Sequence, residues 1–474
     1  MTEVPYVKLK DIATVNQGLQ IPIAKRFKEQ GIDRYFYITV QFLKDSHNDK
    51  FYVENPPKSS ICNEDDILVV RTGSTGKIVT GVNGCFHNNF FKVNYDEEKV
   101  LGRYLFYCLN SKEKQAEMKK RSGITTIPDL NHFMFLDMKI PLPSYNRQIE
   151  IVKILDAINA KIEVNNQINQ QLEAMAKTLY DYWFVQFDFP FDFAQGKPTN
   201  VSSSAVENRS DTPKPYKSSG GTMVYNEELK REIPDGWESG SLSSWIKNDK
   251  SGDWGKESEQ GNYVNKVSCI RGADLNGLNG KGDVKAPTRY VLEKNKHKLL
   301  EVGDFIIEIS GGSPVQSTGR MAFITEETLD RFDNPLICSN FCKAVTLENQ
   351  KSIYNFAYQW NRLYDAGVLF GWEGKTSGIK NLLFESFVSN HKISVPPSEL
   401  IEKFHYYAKP IHSKIQKNLQ QNQKLTELRD WLLPMLMNGQ VQVNSNLNMN
   451  LNDAGDVDGG LGMVAESGSK YGKG

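Results

Sequence analysis

The sequence predicts an α+β protein: two duplicated α/β domains separated by two long antiparallel helices with pseudo-two-fold symmetry. Three observations lead to this prediction. Two long helical patterns share one spacing, similar strand-like runs precede each of them, and a polar segment lies between the two copies. A chain of 474 residues is long enough for two or three domains with a substantial core.

The first long helix is predicted over residues 143–190. Apolar residues recur mostly three or four positions apart, at 155, 158, 162, 172, 175 and 179. Pro143 precedes the helix, Ser144 offers an N-cap hydroxyl, and no Gly or Pro follows for forty residues. Such a helix is about 60 Å long at 1.5 Å per residue. Because its apolar stripe is narrow, we expect another long helix to cover it.

The second long helix is predicted over residues 395–443, and it repeats the first at an offset of 253 residues. Asn165 and Asn169 interrupt the first apolar seam where Asn418 and Asn422 interrupt the second. A buried Asn in such a seam lowers stability but fixes register. The alternative is two unrelated helices of similar composition. The predicted helix-pair interface consists of Ile158, Ile162, Asn165, Asn169, Leu172, Leu179, Ile411, Ile415, Asn418, Asn422, Leu425 and Leu432. Pro434 is expected to end or kink the second helix.

The two globular segments, residues 1–142 and 223–394, resemble each other in outline. Strands are predicted at YFYITV, DILVV and FFKV in the first segment. VGDFIIEISGGS in the second segment echoes DDILVVRTGST, and SNFCKAV echoes NNFFKVN. A tandem duplication with loop insertions produces this pattern.

The remaining segments are predicted to lack a packed core. Residues 191–222 form a Ser-, Pro- and Gly-rich linker, and residues 444–474 form a low-complexity, disordered tail. The N-terminus lacks the apolar region of a signal peptide, and no run of 18 apolar residues exists, so we expect a cytoplasmic protein. The six scattered cysteines are expected to be reduced.

Three short motifs resemble catalytic or nucleotide-binding signatures, and each departs from its signature. NPPK at 55–58 lacks the aromatic residue that follows the prolines in adenine methyltransferases, so a turn is favoured. GKT at 374–376 lacks the first glycine of a P-loop, because Leu369 occupies that position, and GSTGK at 73–77 fails likewise. The histidines form no metal-site pattern. We therefore expect no catalytic residue and no metal site. The alternative is an enzyme whose active site cannot be recognised from the sequence.

Two related domains on a long spacer suit a target with two parts, and double-stranded DNA is such a target. The net charge of zero argues against nucleic-acid binding by bulk electrostatics alone, although it permits a basic face. Arg, Lys, Asn, Gln, Ser and Thr on loops supply base-edge and phosphate contacts. The alternative to DNA binding is that each residue is a plain turn residue or a solvated charge. The recurrence of such residues at equivalent places in both domains favours DNA binding. In the first domain the candidates are Arg71, Thr72, Ser74, Lys77, Asn88, Asn89, Lys119, Lys120, Arg121, Thr125 and Thr126. In the second domain they are Ser310, Ser313, Gln316, Arg320, Asn340, Lys375, Thr376 and Lys380.

The chain resembles the specificity (S) subunits of type I restriction-modification systems from about residue 5 to residue 443. The resemblance lies in the duplicated helices and in LPSYNRQIEIVKILDAINAKIEVNNQIN, TLYDYWFVQFDFP, KPYKSSGG, REIPDGWE and LRDWLLPMLMNGQV. It implies a non-catalytic subunit that reads a bipartite, asymmetric DNA target through two target-recognition domains. It also implies two methyltransferase (M) and two restriction (R) subunits as partners, which use S-adenosylmethionine, ATP and Mg, with no cofactor in this chain. A two-headed coiled-coil scaffold that does not bind DNA is the alternative.

Overall fold

The computed structural model describes residues 4–43, 50–123, 128–190, 214–313, 315–376 and 378–441. Two compact units divide the chain, one over 1–161 with 424–474 and the other over 162–423. The predicted tail and most of the predicted linker lie outside the described residues. No helix among the described residues is long and apolar enough to cross a membrane.

The described part of the first unit contains two four-stranded sheets and a two-stranded one. Its strands are β1 (Tyr6–Lys8), β2 (Ala13–Gln17), β3 (Arg34–Ile38), β4 (Tyr52–Glu54), β5 (Ile61–Cys62), β6 (Ile67–Val70), β7 (Ile78–Val79), β8 (Gly84–Phe86), β9 (Phe90–Tyr95) and β10 (Lys139–Pro141). One sheet is antiparallel with the order β2-β9-β6-β7. The other has the order β4-β3-β8-β5, in which β3 and β8 are parallel, and β1 pairs with β10.

The helices of the described chain that begin in the first unit are α1 (Gly102–Asn110), α2 (Lys112–Arg121), α3 (His132–Leu136) and α4 (Tyr145–Tyr180). The side chain of Ser111 caps α2 by accepting a hydrogen bond from the Lys114 backbone N–H at 3.2 Å. Asn131 caps α3 in the same way, accepting from Met134 at 2.8 Å. These caps satisfy backbone donors that the first helical turn leaves free.

The core of the first unit is centred on β6, whose four residues Ile-Leu-Val-Val are all buried. A strand covered on both faces reads as a continuous apolar run, which is why DILVV predicts it. Gly84 is required where β8 meets β3. Its φ is +155°, and a Cβ there would lie 2.3 Å from the carbonyl oxygen of Phe36.

The second unit repeats much of the strand order of the first. Its strands are β11 (Met223–Asn226), β12 (Arg231–Pro234), β13 (Glu238–Ser241), β14 (Ile246–Ser251), β15 (Tyr263–Ile270), β16 (Thr288–Leu292), β17 (Asp304–Glu308), β18 (Ser310–Gly311), β19 (Met321–Phe323), β20 (Leu336–Cys338), β21 (Cys342–Leu347), β22 (Glu373–Thr376), β23 (Ile379–Leu382) and β24 (Lys392–Val395). The order β14-β21-β17-β19 corresponds to β2-β9-β6-β7, and β16-β15-β20, with β15 and β20 parallel, corresponds to β4-β3-β8. The pair β13-β24 corresponds to β1-β10, whereas β18-β23-β22 has no counterpart among the described sheets of the first unit.

The remaining helices of the described chain are α5 (Leu275–Leu278), α6 (Glu326–Leu329), α7 (Ile353–Asp365), α8 (Phe384–Asn390) and α9 (Ser398–Met437). Helix α9 continues past Pro434 for three residues, so that proline lies inside its last turn. Helix α4 is followed by one π-helical turn, Asp181–Val185. Both long helices therefore lie inside the ranges that the sequence predicts, and each is shorter at both ends.

Candidate nucleic-acid interface

The turn after β6 places two exposed polar side chains at its tip. Gly73 and Gly76 adopt φ of +90° and +85°, which turns the chain back toward β7. Ser74 and Lys77 are exposed, while the hydroxyl of the buried Thr75 lies 3.0 Å from the Pro128 carbonyl oxygen. This contact joins the turn to the segment that follows the 124–127 gap in the described chain.

A cleft of about 440 Å³ lies beside this turn. The side chains with nitrogen donors on its wall come from the turn and from helices α1 and α2. Its lining residues are Gly73, Ser74, Thr75, Lys77, Asn110, Gln115, Lys119, Ser122, Gly123 and Pro128. Lys77 and Lys119 are exposed, so the cleft carries two cations that phosphate groups favour. We call it the lysine cleft.

A second cleft, of about 330 Å³, is lined by Gln17, Arg71, Asn131, His132 and Phe133. We call it the arginine groove. Of these residues only Arg71 is among the sequence-predicted candidates. Burial lowers the pKa of His132, and the Arg71 charge acts in the same direction, so the imidazole is neutral near pH 7.

Arg71 is held in place by a bidentate pair with Asp129. Its Nε and Nη2 donate to the two carboxylate oxygens at 2.9 and 2.7 Å. The hydrogen bonds from Arg71 lower the pKa of Asp129 and raise that of Arg71, so both groups stay charged over a wide pH range. A fixed guanidinium loses less conformational entropy when it binds a further partner than a free one does.

Of the other described candidates of the first unit, Lys119 lines the lysine cleft, and the rest line neither cleft. The backbone of Thr72 forms a bridge with Asp129, and the Asn89 carbonyl oxygen accepts from the Arg71 N–H at 2.8 Å. The Asn88 side chain donates to Gln20 at 3.3 Å. Lys119 and Lys120 are exposed in the last turn of α2, whereas Arg121 pairs with Glu117 at 2.7 Å. Thr125 and Thr126 lie outside the described residues.

In the second unit two predicted cations are paired within the fold. The Arg320 guanidinium donates to both oxygens of the buried Glu308, at 2.8 and 2.6 Å. Lys380 lies 3.1 Å from Glu373, which also accepts from the Thr318 N–H at 2.7 Å. Because both cations have buried acidic partners, these ion pairs hold Arg320 and Lys380 within the fold.

Shorter polar side chains line the same part of the second unit. The Ser310 hydroxyl donates to Asn381 at 2.6 Å, and Ser313 accepts from the Gln316 N–H at 3.2 Å. Gln316 and Asn340 are exposed. Lys375 and Thr376 belong to β22, where their backbones pair with Lys380 and Ile379.

The long helices are joined within residues 162–423 by side-chain amides. The Asn165 amide nitrogen donates to the Asn422 side-chain oxygen at 2.8 Å, and the Asn418 amide donates to Asn169 at 2.8 Å. Residue numbers increase along one helix as they decrease along the other, so this part of the pair is antiparallel. Ile415 is buried beside these amides.

The same direction holds within residues 1–161 and 424–441. Arg429 donates to the Asn159 side-chain oxygen at 3.0 Å, and Arg147 donates to the Val441 carbonyl oxygen. The other predicted seam residues are buried or partly buried. They are Ile158, Ile162, Leu172, Leu179, Ile411, Leu425 and Leu432.

Known proteins that resemble this chain are DNA specificity components of restriction-modification systems. Residues 1–174 match the family model described as the type I restriction modification DNA specificity domain. The fold resembles the crystal structure of a type I S subunit from M. genitalium, with a TM-score of 0.50 and 15% identity. That likeness covers 92% of this chain and 97% of the other.

Two curated relatives extend the match over most of the chain. The MjaIX specificity subunit of Methanocaldococcus jannaschii is 25% identical over 381 residues, covering 80% of this chain and 78% of the relative. The HindI specificity subunit of Haemophilus influenzae is 23% identical, covering 74% of this chain and 80% of the relative. Over most of its length the chain is therefore similar to type I restriction-modification specificity subunits, which confirms the resemblance found in its sequence.

Proposed function

We propose that this chain is a non-catalytic specificity subunit that reads a bipartite, asymmetric DNA sequence, one half-site with each globular domain. The observation that carries the proposal is the matched strand order of the two units, with polar residues after β6 in one and after β17 in the other. Because these polar residues differ between the two units, the two half-sites would differ as well. The duplicated α/β domains are thus target-recognition domains in this proposal.

In the first domain the two clefts would have different roles in DNA binding. The arginine groove would read base edges, since Arg pairs with guanine and Asn or Gln with adenine. The lysine cleft would bind backbone phosphates through Lys77 and Lys119, which sets register without carrying sequence information. Thr72, Asn88, Asn89 and Lys120 would supply further polar contacts.

In the second domain the shorter polar side chains would make the contacts. Ser310, Ser313, Gln316 and Asn340, together with Lys375 and Thr376, form the proposed set. Arg320 and Lys380, like Arg121 in the first domain, would serve mainly to support the fold, because each pairs with a carboxylate that is less exposed than Asp129, the partner of Arg71.

The long helices would carry the other subunits of the complex. We propose that methyltransferase subunits dock on α4 and α9 and that restriction subunits join them, two of each. S-adenosylmethionine, ATP and Mg would then belong to those partners. The antiparallel amide contacts support a fixed register of the helix pair, which the spacer length between half-sites requires.

The test is methylation mapping in a host that carries the intact system. A single bipartite adenine-methylation motif is expected. Exchanging residues 5–142 for the first domain of another family member should replace one half-site and leave the other half and the spacer unchanged. Loss of both half-sites would show that the domains are not independent readers.

Direct DNA binding gives a second readout. The full chain with its methyltransferase subunits should prefer the mapped duplex over a scrambled one, with log affinity falling as log salt rises. Equal, salt-independent binding to both duplexes would favour the scaffold alternative. Methyl transfer by the chain alone would contradict the non-catalytic assignment.

A further inference from the structure

Phe133 is an exposed aromatic residue in the wall of the arginine groove. Its side chain is 79% exposed, although a neighbour two residues along the same short helix, Phe135, is fully buried. A single exposed phenylalanine does not by itself require a partner, but its position in a groove with polar groups points to one. The partner must also suit the polar groups that share the groove.

Helix α3 holds Phe133 in a fixed outward position. The His132 and Phe135 rings pack against Phe91, with ring centroids 5.4 and 4.8 Å apart. The Asn131 cap fixes the first turn from the other side. Because the helix is anchored through these contacts, Phe133 is presented without a large loss of conformational freedom on binding.

Arg71, Gln17 and Asn131 line the same groove and point to a nucleic-acid base as the partner. Guanidinium and amide groups pair with base edges, and a flat apolar ring packs against a base face. Apolar side chains also act as wedges that partly open a base step. A protein partner would use the aromatic ring, but it has no particular need for three base-reading groups beside it.

We propose that Phe133 stacks on a base of the half-site read by the first domain and partly opens one base step. The inference rests on the proposed DNA-reading function and adds a specificity-determining residue to it. Arg71 and its amide neighbours would read the edges of adjacent bases. Phe133 would make affinity for the target depend on how easily that base step unstacks. Pyrimidine–purine steps open most readily, so such a step would be favoured there.

The experiment uses the full chain with its methyltransferase subunits and duplexes that carry 2-aminopurine at each adenine of the mapped half-site. Wild-type protein should raise the fluorescence at one position. Phe133→Ala should abolish that rise and weaken target binding about 5- to 140-fold, equivalent to ~1–3 kcal/mol at 1.4 kcal/mol per tenfold. Binding to a scrambled duplex and the salt slope should not change.

Two further variants and a control separate stacking from folding. Phe133→Trp keeps a flat ring and should bind the target like the wild type, whereas Phe133→Leu keeps only an apolar wedge and should bind the target more weakly. Ile32→Ala removes another exposed apolar side chain of the first unit, 91% exposed and outside the groove, and should bind like the wild type.

The outcomes distinguish this inference from the proposed function. If wild-type protein does not prefer the mapped duplex, the proposed function fails. If it does, and Phe133→Ala binds equally well with the same fluorescence, the stacking role is refuted. Loss of methyltransferase subunits from the Phe133→Ala complex would assign the ring to a protein interface instead.

Discussion

The buried amide pair between Asn169 and Asn418 allows a quantitative test of what the long helices contribute. Asn418 is 2% exposed and its amide donates to Asn169 at 2.8 Å; the Asn169 amide in turn lies 3.4 Å from the Ile415 carbonyl oxygen. Replacing Asn169 with Leu leaves the Asn418 amide buried without this acceptor. An unsatisfied buried group costs ~1–3 kcal/mol, and the added apolar contact offsets part of that cost.

Replacing both asparagines with Leu removes donor and acceptor together. The double variant should therefore be close to the wild type in stability or above it, whereas each single variant is destabilised. The coupling free energy in the double-mutant cycle should be ~1–3 kcal/mol, with the double less destabilised than the sum of the singles. Gln167→Leu is the control, because Gln167 is exposed on the same helix.

The assay is amide hydrogen exchange of peptides over 162–176 and 411–423, which reports the opening of this helix segment separately from unfolding elsewhere. Additive effects of the two substitutions would refute the assignment of a coupled pair. Methylation mapping supplies a second readout. If the amides set register, the stable double variant should methylate targets of more than one spacer length. A single unchanged spacer would show that register is fixed elsewhere in the helix pair.

Three further predictions concern other parts of the molecule. Burial lowers the pKa of His412 to about 4, so the unfolded chain binds the proton more tightly than the folded chain. The free energy of unfolding should therefore fall by roughly 3 kcal/mol as the pH falls from about 6.5 toward 4. His412→Gln should reduce this pH dependence in unfolding measured over a series of pH values. Lys77→Ala should weaken binding to target and scrambled duplexes alike and reduce the salt slope by about 1 in titrations over a salt series. Gly84→Ala should destabilise the first unit by ~3 kcal/mol or more in thermal unfolding, because the added Cβ meets the Phe36 carbonyl; Gly81→Ala, also at positive φ but in open space, should cost only ~1 kcal/mol.

The sequence predicts best where a pattern extends over many residues. The periodicity from Leu155 to Leu179 predicts a helix, and the structure contains it within α4. The apolar run at β6 predicts a buried strand for a similar reason, since all four side chains must avoid water. Both predictions depend on local sequence alone.

The candidate site is harder to predict because its contacts join distant parts of the chain. Asp129, which holds Arg71, is 58 residues away, and Glu308 lies 12 residues from Arg320. Nothing in the local sequence distinguishes a paired arginine from a free one. Phe133 and Phe135 are two apolar residues of one short run, and the tertiary fold decides which of them is exposed.

The charge balance of the chain bears on how such a subunit would discriminate between sequences. Acidic and basic residues are equal in number at 57 each, and several candidate cations already have carboxylate partners. Sequence-independent affinity for DNA depends on the number of phosphates that free cations neutralise. A reader with few free cations binds random DNA weakly, so the base contacts in the arginine groove would contribute a larger share of the binding free energy at the target. Under the proposed function, Asp129→Asn therefore tests whether the Arg71–Asp129 pair limits sequence-independent binding. Removing the carboxylate charge beside Arg71 should raise affinity for scrambled duplexes and lower the ratio of target to scrambled binding, and an unchanged ratio would show that the pair does not influence specificity.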